Sequence, residues 1–288
     1  QNGETEETWK TGRTGGLPYV GKGFYKTTFE VPDTAGKSLT LVFDGAMSHA
    51  HVYVNGRQVA YWPYGYNTFH ADVTDAVHPG ANTLEVSLEN LPKSSRWYPG
   101  AGLYRNVHLI TTDRVHIPVW GTYITTPYVS KQYATVNLKT DVRGLDKGQT
   151  YRLETVIRNP KGEQVASAAF DYKYFPGVTA DQNFKITAPD LWSPENPALY
   201  TAETKVITDG STADTYTTRF GIRSVEVRAG EGFFLNGEKR KFKGVCTMTS
   251  APSAPRSIPP RCAISWSCSR RWAPMPYAPL TTCRRPSW

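Results

Sequence analysis

At 288 residues, with 39% hydrophobic residues, the chain exceeds one ordinary β-sandwich and suits two domains of about 100–120 residues plus a tail. The formal net charge is +8, yet +6 of it falls in residues 247–288, which hold six arginines and no Asp or Glu, so no nucleic-acid partner is inferred. No run of 18 apolar residues is available for a helical membrane span, and the residues after Gln1 lack a secretory leader pattern, so any leader would lie upstream.

Helical periodicity is scarce, whereas short alternating runs bounded by Gly, Pro, Asn and Asp recur about every ten residues, which argues for an all-β chain. A first block holds a strand at 38–44 and an apolar run at 51–54. That run ends in Asn55-Gly56, a type I′ hairpin signal because both turn positions need positive φ. The return strand is 57–61, an alternating strand follows at 84–88, and 106–110 closes the block. A second block begins after Pro118, where Ala134, Val136 and Leu138 share one face of a strand at 133–139. Further strands are expected at 151–157, 163–170, 184–186 and 200–207, close to the count of an immunoglobulin-like sandwich. A third segment, 232–245, carries another Asn-Gly turn at Asn236-Gly237. Before the tail there is one cysteine, Cys246, so no disulfide framework is expected. The spacings of Cys262, Cys268 and Cys283 match no common zinc pattern.

Several of these stretches, in order, resemble the front of glycoside hydrolase family 2, the group of β-galactosidases, β-glucuronidases and β-mannosidases. Gly21-Lys22-Gly23-Phe24-Tyr25-Lys26-Thr27-Thr28-Phe29 resembles the first strand of the family's sugar-binding jelly roll, and 51–56 its hairpin. Ser95-Arg96-Trp97-Tyr98-Pro99-Gly100-Ala101-Gly102-Leu103-Tyr104-Arg105 resembles a signature loop. Leu191-Trp192-Ser193-Pro194-Glu195-Asn196-Pro197 and Arg219-Phe220-Gly221-Ile222-Arg223 resemble two segments of its immunoglobulin-like domain. Residues 233–245 resemble the lead-in to its catalytic (β/α)8 barrel.

The resemblance implies a jelly-roll β-sandwich at 1–112, an immunoglobulin-like β-sandwich at 113–228, a barrel stub at 229–246 and a tail at 247–288. It implies a parent enzyme that is a retaining exo-β-glycosidase, with β-galactosidase as first choice, acting on terminal β-linked sugars of oligosaccharides or glycans. A periplasmic or secreted bacterial enzyme is expected ahead of a cytoplasmic one. In this family both catalytic carboxylates, about 5 Å apart in retaining enzymes, come from the barrel. No catalytic residue is therefore assigned here. Asp44, Asp72, Asp75, Glu85 and Glu89 read as a solvated sheet face, and neither cofactor nor metal is expected. The two sandwiches would dock onto the barrel in the intact enzyme. Two other classes stay open: a carbohydrate-binding module without catalysis, and a structural or adhesive tandem sandwich.

Residues 247–288 look like an out-of-frame translation. Reading the last base of each codon with the first two of the next, Met248 before Thr249 forces Asp, Trp272 before Ala273 forces Gly, and Met275 before Pro276 forces Ala. With permitted synonymous codons, the shifted frame opens on His-His-Asp and continues with barrel-like segments. Eight prolines and the lack of acidic residues argue for disorder there. A rival reading, a basic arm using Arg270-Arg271 and Arg284-Arg285, is outweighed.

A sugar site needs aromatic faces for the C–H side of a ring and planar polar groups for its hydroxyls. Ser95, Arg96, Trp97 and Tyr98, in a loop bounded by Pro and Gly, are the substrate-binding candidates carried over from the resemblance. The alternative is that Trp97 and Tyr98 pack the sandwich and Arg96 pairs locally. A second aromatic cluster, 61–66, reads first as loop packing and then as subsite lining. His49 and His51 could share a sheet face, although two ligands do not make a zinc site.

Overall fold

The computed structural model describes residues 21–91 and 102–242; it is built of β-strands with one 3-10 turn, η1 (Thr74–Ala76). The expected tail, Cys246 and the end of the barrel stub lie outside the described residues, as do the first 20 residues and 92–101.

In the first half, one sheet has the order β1 (Gly21–Val31), β7 (Gly80–Asn90), β4 (Ala50–Val54), β5 (Arg57–Trp62). A second has the order β6 (Phe69–Asp72), β2 (Lys37–Phe43), β9 (Val107–Asp113). A short pair, β3 (Ala46–Met47) and β8 (Gly102–Leu103), adds a third. Strict alternation makes the sandwich: β7 buries Asn82, Leu84, Val86, Leu88 and Asn90 and turns Glu85, Ser87 and Glu89 outward. Val52, Val54 and Val86 meet Leu39, Phe43 and Phe69 across the sheets in one core. The Phe43 and Phe69 rings stack at 4.8 Å.

The second half pairs β10 (Thr122–Val129), β11 (Tyr133–Thr140) and β14 (Ala180–Thr187) in one sheet. The other has the order β13 (Gln164–Lys173), β12 (Thr150–Arg158), β15 (Tyr200–Thr208), β16 (Ser211–Phe220). This is a seven-stranded, antiparallel, immunoglobulin-like sandwich. Tyr200 opens β15, and its hydroxyl accepts the Asp190 N–H at 2.8 Å, a tie of the tyrosine-corner kind. Between the sheets a buried polar trio bridges β12, β14 and β15: Thr155 Oγ1 lies 2.7 Å from Gln182 Oε1 and 3.0 Å from Thr204 Oγ1. A meander of β17 (Val225–Arg228), β18 (Gly232–Leu235) and β19 (Glu238–Arg240) follows.

The expected strands are present, and most extend a residue or more beyond their alternating segments. β3, β6, β8, β10, β16 and β17 are additional to those expected. β16 is rich in threonine and half exposed throughout, so it shows no apolar alternation, and β10 carries Pro127 where its register with β11 shifts.

Candidate functional site

At one end of the first sandwich, β1 runs past the edge of the opposing sheet and leaves its inner face open. The result is a cleft of about 270 Å³ lined by Gly21, Gly23, Tyr25, Met47, Leu88, Asn90 and Gly102. Four strands distant in sequence build it. Gly23 pairs with Leu88 and Gly21 with Asn90 between β1 and β7, while Met47 pairs with Gly102 between β3 and β8.

Glycines set its shape. A Cβ at Gly102 would lie 2.2 Å from the Tyr25 hydroxyl, and Gly102 also has φ of 82°, so only glycine lets the phenol approach this backbone. A Cβ at Gly65 would lie 2.1 Å from Met47 Sδ, so the 61–66 segment presses its backbone onto a cleft residue. Beside it, Tyr104 donates its hydroxyl to Gly65 O at 2.7 Å, and burial raises the phenol pKa above its ordinary value. The lining is apolar and amide in character. Among the described residues that line it there is no carboxylate, imidazole or amine, and those present offer ring contact and hydrogen bonding.

The carried-over candidates Ser95, Arg96, Trp97 and Tyr98 lie outside the described residues. Their segment is bracketed by two described residues, Leu91 after β7 and Gly102 at β8, and Gly102 is part of the cleft wall. Within the second aromatic cluster, Trp62 turns inward and stacks on Phe69 at 5.6 Å. Tyr64 and Tyr66 stay exposed with ring centroids 5.4 Å apart. None of these side chains lines the cleft.

The acidic residues have structural partners. Asp72 accepts from the backbone N–H and hydroxyl of Thr74, Glu85 pairs with Lys26 at 2.8 Å, and Asp44 meets His108 Nε2 at 3.0 Å. His49 and His51 do share a neighbour, Tyr61. Among the described residues no cluster of three or more His, Cys, Asp or Glu is arranged to hold a metal ion. Tyr25, Met47, Asn90 and Gly102 were not singled out from the sequence as lining residues. The available signal was the glycine pair around residue 101, which marks a close backbone approach.

The fold and cleft define a tandem β-sandwich protein with an open end on its first sandwich. Residues 19–98 match the profile described as glycosyl hydrolase 2 galactose-binding domain-like, and residues 115–223 match glycosyl hydrolases family 2. The chain belongs to glycoside hydrolase family 2. It is 36% identical over 250 residues to the β-galactosidase BoGH2A of Bacteroides ovatus, covering 85% of this chain and 29% of that protein. A putative β-glucuronidase of Formosa agariphila is 35% identical, over 82% of this chain and 22% of the relative. Among solved structures, a family 2 member from Bacteroides cellulosilyticus superposes with a TM-score of 0.77 at 32% identity, over 83% of this chain and 31% of that one. The chain thus spans less than a third of the length of these relatives.

Proposed function

We propose that this chain is the non-catalytic front part of a retaining exo-β-glycosidase, with β-galactosidase preferred to β-glucuronidase, that hydrolyses O-glycosidic bonds at terminal β-linked sugars. In this reading residues 1–112 form the sugar-binding jelly roll and 113–228 the immunoglobulin-like domain. Residues 229–246 begin the barrel, and 247–288 are out of frame. The observation that carries it is the cleft lining: a concave site whose described residues offer aromatic and amide groups without a carboxylate pair, in a chain of this family. The cleft supplies one wall of the terminal-sugar subsite, Ser95, Arg96, Trp97 and Tyr98 add sugar contacts, and a barrel docked onto the sandwiches brings both carboxylates.

The test is hydrolysis of p-nitrophenyl β-galactoside and β-glucuronide by the 288-residue chain and by a chain with the reading frame restored after Cys246. The short chain should cleave neither, and the restored chain should prefer the galactoside. Turnover by the short chain overturns the non-catalytic assignment, and preference for the glucuronide overturns the choice of sugar. The galactose-binding-like profile over residues 19–98 favours, as a second reading, a carbohydrate-binding module that never acquires a barrel. Nucleotide sequence past the codon for Trp288 that contains no barrel in any frame would select it.

A further inference from the structure

The four-stranded sheet has a second face, turned to solvent, on which alternation places a different set of side chains. Register puts Phe24 of β1 opposite Ser87 of β7, Ser87 opposite His51 of β4, and His51 opposite Tyr61 of β5. These four residues form one transverse row across all four strands. They alternate with Gly23, Tyr25, Leu88 and Asn90, which face the cleft, so row and cleft lie on opposite sides of the sheet.

Two aromatic rings end the row, Phe24 at 77% and Tyr61 at 47% exposure, with the small Ser87 and the His51 ring between them. Tyr61 is fixed in place. Its hydroxyl shares a hydrogen bond of 2.9 Å with His49 Nδ1, and its ring packs on His51 at 4.6 Å between centroids. Gln58 Nε2 approaches His51 Nδ1 at 3.3 Å. On one side of the row Lys26 pairs with Glu85, and on the other Lys22 pairs with Glu89, so two cations are matched by two anions. The pairs flanking the row therefore add no net charge beside it, which suits an uncharged ligand better than a phosphate, a nucleic acid or an acidic peptide.

Exposed ring faces alternating with hydroxyl, imidazole and amide groups match a ligand whose one side is C–H and whose edge is hydroxyls. Three strand spacings separate the terminal rings by about 14 Å, longer than a single sugar ring. We propose that this row is a carbohydrate-binding site separate from the cleft, taking a neutral, extended, β-linked oligosaccharide laid across the strands. Phe24 and Tyr61 stack on its two end sugars, and Ser87, His51 and Gln58 hydrogen-bond the units between.

Binding of β-1,4-linked galactotetraose and cellotetraose to the 288-residue chain, followed by calorimetry, tests this. At least one tetraose should bind, and more tightly than galactose alone. Phe24→Ala and Tyr61→Ala should each weaken it by about tenfold, with the melting temperature unchanged in Phe24→Ala, whose ring is exposed, and slightly lowered in Tyr61→Ala, which loses its contacts with His49 and His51. Tyr25→Ala, in the cleft, should leave tetraose binding as it was, which separates this site from the one assigned above. The proposal falls if neither tetraose binds, or if either ring can be removed without loss. It also falls if sedimentation shows that the row instead joins two copies of the chain, in a dimer broken by Phe24→Ala and Tyr61→Ala.

Discussion

Two Asn-Gly turns use one asparagine in the same way, and the chemistry of that residue explains why neither aspartate nor glycine would serve equally well. Asn55 and Gly56 have φ of 50° and 79°, Asn236 and Gly237 of 53° and 79°, the left-handed pair that a type I′ hairpin requires. Each asparagine also pairs with a third segment of chain. The Asn55 N–H donates to Thr83 O and its Oδ1 accepts the Thr83 N–H, both at 2.9 Å; Asn236 does the same with Ser224, both at 3.0 Å. The amide nitrogen then donates onward, from Asn55 to Ala76 O and Asn82 Oδ1, and from Asn236 to Trp192 O. Aspartate keeps the acceptor but turns the donor into a second acceptor facing a carbonyl. Asn236→Asp should therefore cost about 1–3 kcal/mol in urea unfolding. Asn236→Gly, which relaxes the backbone but drops the side-chain bonds, should cost less than Asn236→Asp. Equal stability of Asn236→Asp and the unsubstituted chain would remove the donor from the explanation.

At the scale of elements, three stretches that resemble family segments, far apart in the chain, meet around one indole. Trp192 donates its backbone N–H to Ile222 O at 2.8 Å, Arg223 lies 4.6 Å from the centre of its ring, and Asn236 Nδ2 donates to its backbone carbonyl. A Cβ at Gly221 would fall 2.9 Å from Trp192 Cβ and Cγ, both close to the main chain and unable to swing away. Space, not backbone torsion, requires this glycine, so Gly221→Ala should destabilise by about 1–3 kcal/mol in thermal unfolding. A neutral result would mean that the segments slide past one another without cost. This junction shows what a sequence reveals and what it hides. The Asn-Gly hairpins, and strands such as β11 and β15, were legible because turn chemistry and apolar alternation are local. β16 was not, since its inward positions mix Asp214 and Thr218 with Tyr216 and Phe220 and give no apolar run, and the meeting of Trp192 with Gly221 depends on sheet order that no local pattern encodes. The cleft is the extreme case: of the four strands that line it only β1 and β7 carry a strand signal in the sequence, while Met47 falls in no expected element and Gly102 in the signature loop. The candidate loop at 95–98 was carried over from the family resemblance, and lies outside the described residues.

For the whole molecule, the connection between the sandwiches is held from both sides. The Arg114 N–H donates to Gly36 O at 2.8 Å, and the Ile117 N–H to Asp214 Oδ2 at 2.8 Å, so one end bonds to the first sandwich and the other to the second. Trp120 donates its backbone N–H to the Tyr216 hydroxyl at 3.2 Å and sets its ring edge-on to His70 of β6 at 5.1 Å. Partial burial, and then the positive charge of Arg143, hold the His70 pKa below its ordinary 6.5. A depressed histidine pKa means that the folded state binds its proton less readily than the unfolded chain does. The stabilisation from neutral His70 is thus fully present above about pH 6.5 and is lost as pH falls through the lower folded-state value. Acidification should loosen the contact between β6 and the connection before either core responds, because protonated His70 must be both desolvated and held near Arg143. Thermal unfolding of the 288-residue chain from pH 7.5 to pH 5 should show a falling melting temperature, and His70→Phe, which keeps a ring against Trp120, should flatten that dependence. An unchanged slope in His70→Phe would assign the acid sensitivity to other groups and leave His70 as a passive spacer between the two sandwiches.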